Sequence, residues 1–324
     1  MKKRLFAVIL IVVLLGGLIV FMTRQKDLII KQVETKYMKD GLIRAYDRED
    51  AQRLSESLGQ YMVYLLEIGD AKRFAEQAAI LREQFLVTSN EGDFVKWELT
   101  PKTSTNAIVD DFRISNALSG AAKRFDEPDY RQLSRRIDDG ILKHMKVSGI
   151  PVDFYDWKLD LKTKELRLNY LDATALERLK LVEPILKVLK AAPRSGPFFH
   201  EIYLPKEDQY KVADDKEVNM IDQALIAIVS EELTGKRDQD FYTFINEEMK
   251  KGKLYARYDR STTVPRSNDE SSSVYALLLP YVPKDLQLKM IERLDQIDLT
   301  DAETTHIFDF LNEAIARVET STDK

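Results

Sequence analysis

The chain has 324 residues, of which 44% are hydrophobic and 32% are charged, a mixture typical of a globular protein. The formal net charge of −5 offers no basic face, so we expect no nucleic-acid partner. The absence of cysteine excludes disulfides, thiolate metal sites and a cysteine nucleophile. Only three histidines are present, at His144, His200 and His306, so the sequence predicts no metal site and no cofactor.

The first segment of the chain is strongly apolar. Residues 2–4 are basic, and the 18 positions from 5 to 22 are all apolar or glycine, which is long enough to cross a bilayer. No small-residue cleavage site follows, so we predict an uncleaved transmembrane helix within residues 1–26. The basic residues before it favour a cytoplasmic N-terminus. We therefore expect a single-pass protein of the cell membrane, with residues 27–324 forming one extracellular domain.

Helical periodicity dominates the rest of the chain. We predict helices near residues 50–68, 71–86, 109–124, 128–146, 172–190, 217–234, 239–251, 272–281, 284–295 and 301–318. Strand-like alternation is confined to short pieces such as "DFVKWEL" and "KELRLNYL". Helices that are apolar all round alternate with amphipathic helices, as expected when buried helices are covered from outside. This alternation predicts an all-α fold, an (α/α)6 toroid of six helical hairpins.

Several of the predicted inner helices begin with a carboxylate, at Glu56, Asp111, Asp222 and, just before its helix, Glu270. Helix capping accounts for any one of them. In a toroid, however, these helix ends meet on one face. Carboxylates that converge beside aromatic rings form a carbohydrate cleft, because the rings stack on sugars and the carboxylates transfer protons. The aromatic candidates are Tyr61, Tyr64, Trp97, Trp157 and Tyr170.

The order and spacing of these motifs resemble glycoside hydrolase family 8. Its S-E-G-x-G-Y-G-M motif resembles "SESLGQYM", and its A-W-R and D-A-D-L-D-I-A-Y-A-L motifs resemble "FVKWEL" and "VDDFRISNAL". Its D-W, N-P-S-Y and Y-D-A-x-R motifs resemble "YDWKLD", "LRLNYLD" and "MIDQAL". The matched positions include Ser55, Glu56, Gly59, Met62, Trp97, Asp111, Asp156, Trp157, Asn169, Tyr170 and Asp222. The chain departs from the motifs at Val109 and Arg113, where the family has acids, and lacks the arginine after Asp222.

The resemblance implies an inverting, endo-acting hydrolase of a β-linked exopolysaccharide, with a β-1,4 linkage expected. Such chemistry needs one protonated carboxyl as acid and one carboxylate that activates water. Carried over, these roles fall to Glu56 as the acid and Asp222 as the base. Asp111 would bind the distorted central sugar and, as the expected neighbour of Glu56, help to keep it protonated. The implied substrate-binding side chains are Trp97, Tyr61, Trp157, Tyr170 and Glu270.

The expected partners are a polysaccharide substrate, the membrane through the N-terminal helix, and an exopolysaccharide synthase complex. One alternative stays open from sequence: a non-catalytic glycan-binding or scaffold protein of a complex that makes or exports exopolysaccharide. The joint presence of Glu56, Asp111 and Asp222 favours the enzyme. A polysaccharide lyase is disfavoured because its Tyr/His or Asn/Arg centre has no convincing counterpart here.

Overall fold

The computed structural model describes residues 25–322. The predicted transmembrane segment, residues 5–22, lies outside this described range. Within residues 25–322, no helix is long and apolar enough to cross a bilayer.

The described chain is mainly helical. Helix α1 is described over residues 25–32 and continues into the π-helical turn Val33–Tyr37. The other helices are α2 (Ser55–Ile68), α3 (Ala71–Ile80), α4 (Ile108–Arg124), α5 (Pro128–His144), α6 (Ala173–Arg178), α7 (Val182–Ala191), α8 (Met220–Thr234), α9 (Gln239–Lys251), α10 (Ser272–Leu278), α11 (Lys284–Leu294) and α12 (Ile307–Thr322). A second π-helical turn, Leu81–Phe85, extends α3, and Leu168–Tyr170 form a 3-10 turn.

Short antiparallel strands connect the helices on the described part of the chain. They are β1 (Met38–Lys39), β2 (Leu42–Ile43), β3 (Leu86–Ser89), β4 (Gly92–Val95), β5 (Lys146–Val147), β6 (Ile150–Pro151), β7 (Tyr155–Asp156), β8 (Leu161–Lys162), β9 (Leu166–Arg167), β10 (Arg194–Ser195), β11 (Phe198–Phe199), β12 (Ile202–Leu204), β13 (Gln209–Lys211), β14 (Glu217–Asn219) and β15 (Arg257–Asp259). The strand order β13-β12-β9 makes one sheet, and the others pair as β1-β2, β3-β4, β5-β6, β7-β8, β10-β11 and β14-β15. The β1-β2 turn has positive φ at both Asp40 and Gly41, as a two-residue type I′ hairpin requires.

Alternate helices form a closed inner ring. Helix α2 packs on α4, α4 on α6, α6 on α8, α8 on α10, α10 on α12, and α12 on α2 again. The helices between them in sequence, α3, α5, α7, α9 and α11, are the amphipathic outer members of the hairpins. The sixth outer position belongs to α1 and its π-helical turn, because the Tyr37 ring stacks on Phe310 of α12 at 5.9 Å. The predicted alternation of buried and covering helices is therefore present.

One predicted helix is wrong. The region 172–190 was expected to be a single outer helix, but it divides into α6 and α7 at Lys180, whose φ is +59°. The 3-10 turn Leu168–Tyr170 and the short α6 pack against α8 and fill the third inner position. Because the outer helix begins only after Lys180, the turn Leu168–Tyr170 and α6 are free to form the inner segment. The turn places Asn169 and Tyr170 against α8.

The contact between α2 and α4 depends on the absence of a side chain at Gly59. A Cβ atom placed there would lie 2.9 Å from Ile114 Cγ1 and 3.3 Å from Arg113 Cδ. Only glycine lets the two helices approach this closely without displacing Ile114. Gly59, one of the residues that match the family motif, therefore sets the spacing between the first two inner helices.

We expect Gly59→Val to destabilise the protein by about 1–3 kcal/mol, the usual cost of overpacking a filled core. The matched control is Gly120→Val, at the other end of the same helix pair. There a Cβ would meet only the tip of the flexible Leu66 side chain, which can rotate away. Urea unfolding should rank Gly59→Val as the more damaging change, and the reverse order would contradict this account of the helix contact.

Candidate active site

Four inner helices carry a carboxylate in their first turn. These residues are Glu56 on α2, Asp110 on α4, Asp222 on α8 and Asp309 on α12. The backbone N–H groups of a helix start make that end favourable for negative charge. Asp110, Asp222 and Asp309 each also accept a hydrogen bond from a side chain outside their own helix, so these carboxylates are not isolated caps.

Asp110 joins α2 to α4. Its Oδ2 accepts a 2.8 Å hydrogen bond from the hydroxyl of Ser55, and its Oδ1 pairs with Arg113 at 2.7 Å. The Asp110 carboxylate is almost fully buried, with an exposed fraction of 5%. Burial and its two partners act on its pKa in opposite directions, and burial is the larger effect, so the pKa is raised. Asp110 is thus a buried group whose oxygens are both engaged by protein.

Glu56 lies beside this pair and is half-buried. Burial raises the pKa of Glu56 to about 7, against the lowering effect of the Arg113 guanidinium; the charges of Asp110 and Asp309 raise it further. A carboxyl with this pKa still holds its proton in a large fraction of molecules at neutral pH. That is the property a general acid needs.

Asp222 lies at the start of α8, and Asn169 donates a 2.8 Å hydrogen bond to its Oδ1. Burial raises the pKa of Asp222 to about 6, assisted by the charge of Glu201 and opposed by Arg167 and Arg257. Tyr170 is close enough to both Asp110 and Asp222 for each charge to raise the pKa of its hydroxyl, although burial is the largest cause. Tyr170 therefore connects the α4 and α8 sides of the site.

The backbones of both tryptophans, Trp97 and Trp157, are hydrogen-bonded to the segment 104–105. The Trp97 backbone N–H donates to Thr105 O at 3.1 Å, and the Trp157 N–H donates to Ser104 O at 3.0 Å. The carbonyl of Trp97 accepts from the Ser55 N–H at 3.0 Å, which places this residue next to Glu56, and its side chain is 38% exposed. Trp157 is half-buried and stacks on Phe94 at 5.8 Å. An exposed indole on a segment whose backbone is bonded to the start of α2 is a suitable candidate platform for a sugar ring.

The surroundings of Asp111 do not favour the role expected for it beside Glu56. Asp111 is 1% exposed, and its Oδ2 accepts a short hydrogen bond from Asn106. Burial raises its pKa well above the usual range. Asp111 is not among the charges that act on Glu56, whereas Asp110 is. Neighbouring residues in a helix point about 100° apart, so only one of the two can face α2.

Two predicted substrate-binding residues are also engaged elsewhere. Tyr61 is 1% exposed and stacks on Tyr64 inside the core, so it does not line a cleft. Glu270 accepts from Arg293 at 2.5 Å and from the Tyr275 hydroxyl at 2.6 Å, and it pairs with Lys253 at 3.6 Å. These contacts anchor the start of α10 to the outer helix α11 and account for the carboxylate without a ligand.

Sequence reasoning missed Asp110, Arg113 and Asp309 as members of the site. Asp110 directly precedes Asp111, which matches the motif, and Arg113 departs from that motif. Nothing in the sequence indicates which first-turn carboxylates turn inward, because that depends on how each helix is rotated in the ring. Within the described residues, no group of three or more His, Asp or Glu side chains could hold a metal ion.

Comparisons with known proteins identify relatives of this chain and structures with the same fold. No family model matches the chain. The protein named "Putative lipoprotein YdaJ" of Bacillus subtilis (strain 168) is 33% identical over 254 residues, 75% of this chain and 68% of that protein. The crystal structure of PssZ from Listeria monocytogenes is 38% identical, has a TM-score of 0.84, and is matched over 89% of this chain and 93% of that chain.

More distant structures extend the fold comparison. The endoglucanase Cel10 of Klebsiella pneumoniae, a family 8 glycosyl hydrolase, has a TM-score of 0.66 at 14% identity, over 90% of this chain and 98% of that chain. A structure described as a novel alpha-amylase from Clostridium perfringens has a TM-score of 0.78 at 22% identity, over 92% and 97%. At these identities the likeness concerns the fold alone.

The chain belongs to the family of YdaJ and PssZ and has the glycoside hydrolase family 8 fold. The resemblance inferred from the motifs is confirmed. Against the family 8 motif, the most consequential difference is Arg113. It stands where the motif has an acid, and here it neutralises Asp110.

The Asp110–Arg113 pair should be important for folding. We expect Arg113→Met to destabilise the protein by on the order of 3 kcal/mol at neutral pH, because Asp110 loses its cation while it stays buried. The loss should shrink as pH falls and Asp110 takes up a proton. The control is Arg317→Met, whose pairs with Glu313 and Asp295 are half-exposed and should contribute about 1 kcal/mol or less. Equal losses in urea unfolding, or no pH dependence, would contradict this assignment.

Proposed function

We propose that this protein is a glycoside hydrolase that cleaves a β-linked glycan with inversion, with Glu56 as general acid and Asp222 as general base. The observation that carries the proposal is the half-buried carboxyl of Glu56 at the start of α2, near Asp110 and on the residue after Ser55, whose N–H donates to the Trp97 carbonyl. Burial raises the pKa of this carboxyl to about 7. A carboxylate that served only as a helix cap would have its pKa lowered by the helix dipole.

The two carboxyls suit the two roles. Glu56 donates its proton to the glycosidic oxygen as the bond to the anomeric carbon breaks. Asp222, the more acidic of the pair, accepts a proton from the water that attacks the opposite face of the sugar. Asn169 holds Asp222 Oδ1, while Oδ2 has no hydrogen-bond partner among the described residues and is available to that water. Both oxygens of Asp110 are bound by Ser55 and Arg113, so Asp110 is not available to bind substrate. Its role is to raise the pKa of Glu56 through its charge.

We further propose that the protein is held at the cell membrane by residues 5–22 and acts on an exopolysaccharide, with Trp97, Trp157 and Tyr170 as sugar contacts. The apolar N-terminal run supports the tether, and the relative YdaJ is named a lipoprotein. The family 8 endoglucanase fold favours a β-linked substrate. The likeness to the Clostridium perfringens structure makes an α-linked glucan the second candidate.

The test uses the protein with a panel of β-1,4 glucan, xylan, partly deacetylated chitin, starch and purified bacterial exopolysaccharide, with products measured by mass. NMR of the first-formed reducing end distinguishes inversion from retention. Cleavage of starch alone would replace the β-linked proposal with the α-linked one. Binding without cleavage of any polymer would favour the non-catalytic alternative.

Glu56→Gln should lower turnover on an unactivated glycan by about 10²–10⁴, the usual contribution of a general acid. Glutamine keeps the shape and hydrogen bonding of the side chain but cannot supply the proton. Polymer binding should persist because the aromatic surfaces are unchanged. The matched control is Asp111→Asn, which alters a buried carboxyl that does not act on Glu56. Wild-type turnover in Glu56→Gln, or a comparable loss in Asp111→Asn, would refute the assignment.

The pH profile of kcat/KM should be bell-shaped and narrow. Asp222 must be ionised, so activity should fall as pH drops through about 6, where it becomes protonated. Glu56 must be protonated, so activity should fall as pH rises through about 7. The profile of kcat/KM reports these groups in the free enzyme. Full activity maintained to pH 9 would show that Glu56 is not the acid.

A further inference from the structure

We propose that Asp309 is a positioning residue of this site, a carboxylate fixed across the ring that keeps the proton on Glu56. The proposal rests on the function proposed above and adds to it a residue that none of the motifs identifies. It starts from a hydrogen-bond network in the centre of the toroid.

Asp309 lies in the first turn of α12, but its partner is on another helix. Its Oδ1 accepts a 2.5 Å hydrogen bond from the hydroxyl of Ser273 on α10. Ser273 in turn accepts a 3.0 Å hydrogen bond from Asn312 Nδ2, and Asn312 Oδ1 accepts from Gln60 on α2. A carboxylate that served as a helix cap would bond to the N–H groups of its own helix.

The rest of this network is buried. The exposed fractions are 0% for Ser273, 6% for Asn312 and 6% for Gln60, whereas Asp309 is half-buried. Buried polar groups that are fully hydrogen-bonded hold side chains in one arrangement. The network therefore connects α2, α10 and α12. It also holds the carboxylate of Asp309, the one charged side chain in the network, in a single orientation.

The charge of Asp309 is not balanced nearby. Among the described residues, no Lys, Arg or His nitrogen lies within ion-pairing distance of it. The pKa of His306, one turn earlier, is lowered by burial more than the charge of Asp309 raises it, so its imidazole does not balance that charge at neutral pH. A carboxylate in a partly buried site without a cation makes ionisation of a second carboxyl beside it unfavourable.

Three charged groups act on Glu56. Arg113 and Asp110 on α4 are bound to each other at 2.7 Å, so their effects on Glu56 partly cancel. Asp309 on α12 is the third, and no cation among the described residues forms an ion pair with it. Since Arg113 replaces an acid of the family motif and draws the proton away from Glu56, a carboxylate on the opposite side compensates for that replacement.

The experiment compares the pH profile of kcat/KM in wild type and Asp309→Asn, with the glycan that wild type cleaves. Asparagine can still accept from Ser273 through its amide oxygen but has no charge. The alkaline limb, which reports Glu56, should move to lower pH by about 0.5–1 unit, while the acidic limb, which reports Asp222, should stay in place. Hydrolysis of an aryl glycoside with a good leaving group, which needs little acid assistance, should change less than twofold.

Two variants separate this effect from a structural one. Asp309→Glu retains the charge and should restore the alkaline limb. Glu313→Gln removes a carboxylate one turn further along α12, where Arg317 binds it at 2.6 Å, and should leave the limb unchanged. If Asp309→Asn folds poorly, Asp309→Ser removes the charge with a smaller side chain and provides the same comparison.

The outcomes are distinct. An alkaline limb that shifts in Asp309→Asn but not in Asp309→Glu or Glu313→Gln supports the proposal. A folded Asp309→Asn protein with an unchanged limb, or an equal shift in Glu313→Gln, overturns it. Absence of hydrolysis by wild type itself would refute the function proposed above, and that result is separate from the behaviour of Asp309.

Discussion

The contact between α2 and α4 is the constraint on which the site depends. Asp110 accepts from Ser55 on one helix and pairs with Arg113 on the other, and Gly59 leaves the space that this approach requires. If the helices were further apart, Asp110 would be solvated and its charge would no longer act on Glu56. The same short distance that closes this side of the ring therefore sets the electrostatics around Glu56.

Burial competes with the helix dipole at the start of α2. Glu56 is the second residue of the helix, where the N–H groups favour a negative charge by about 0.3–1 kcal/mol. Burial in the ring opposes ionisation more strongly and raises the pKa of Glu56 to about 7. The position is thus one in which a local preference of the helix yields to the surroundings that the fold creates, as is common at sites that transfer protons.

The third inner position differs from the others. A 3-10 turn and the short α6 replace a long inner helix, and the turn brings Asn169 to Asp222 and Tyr170 between α4 and α8. A continuous helix there would follow the ring axis and present fewer polar side chains to its open face. The irregular segment is therefore what connects the Asp222 side to the Glu56 side, and α1 completes the outer layer next to α12.

Four features are predictable from the residues alone: the helical class, the alternation of buried and covering helices, the likeness to family 8, and the positions of Glu56 and Asp222 at helix starts. These features depend on local periodicity and on residue types at fixed spacing. Helix packing in the ring sets which side chains face the site: Asp110 instead of Asp111 turns toward Glu56, Tyr61 packs into the core, and Glu270 binds Arg293. It also decides that residues 172–190 break in two. Each of these depends on how a helix is rotated and what packs against it, and a change of one residue rotates a helical side chain by about 100°.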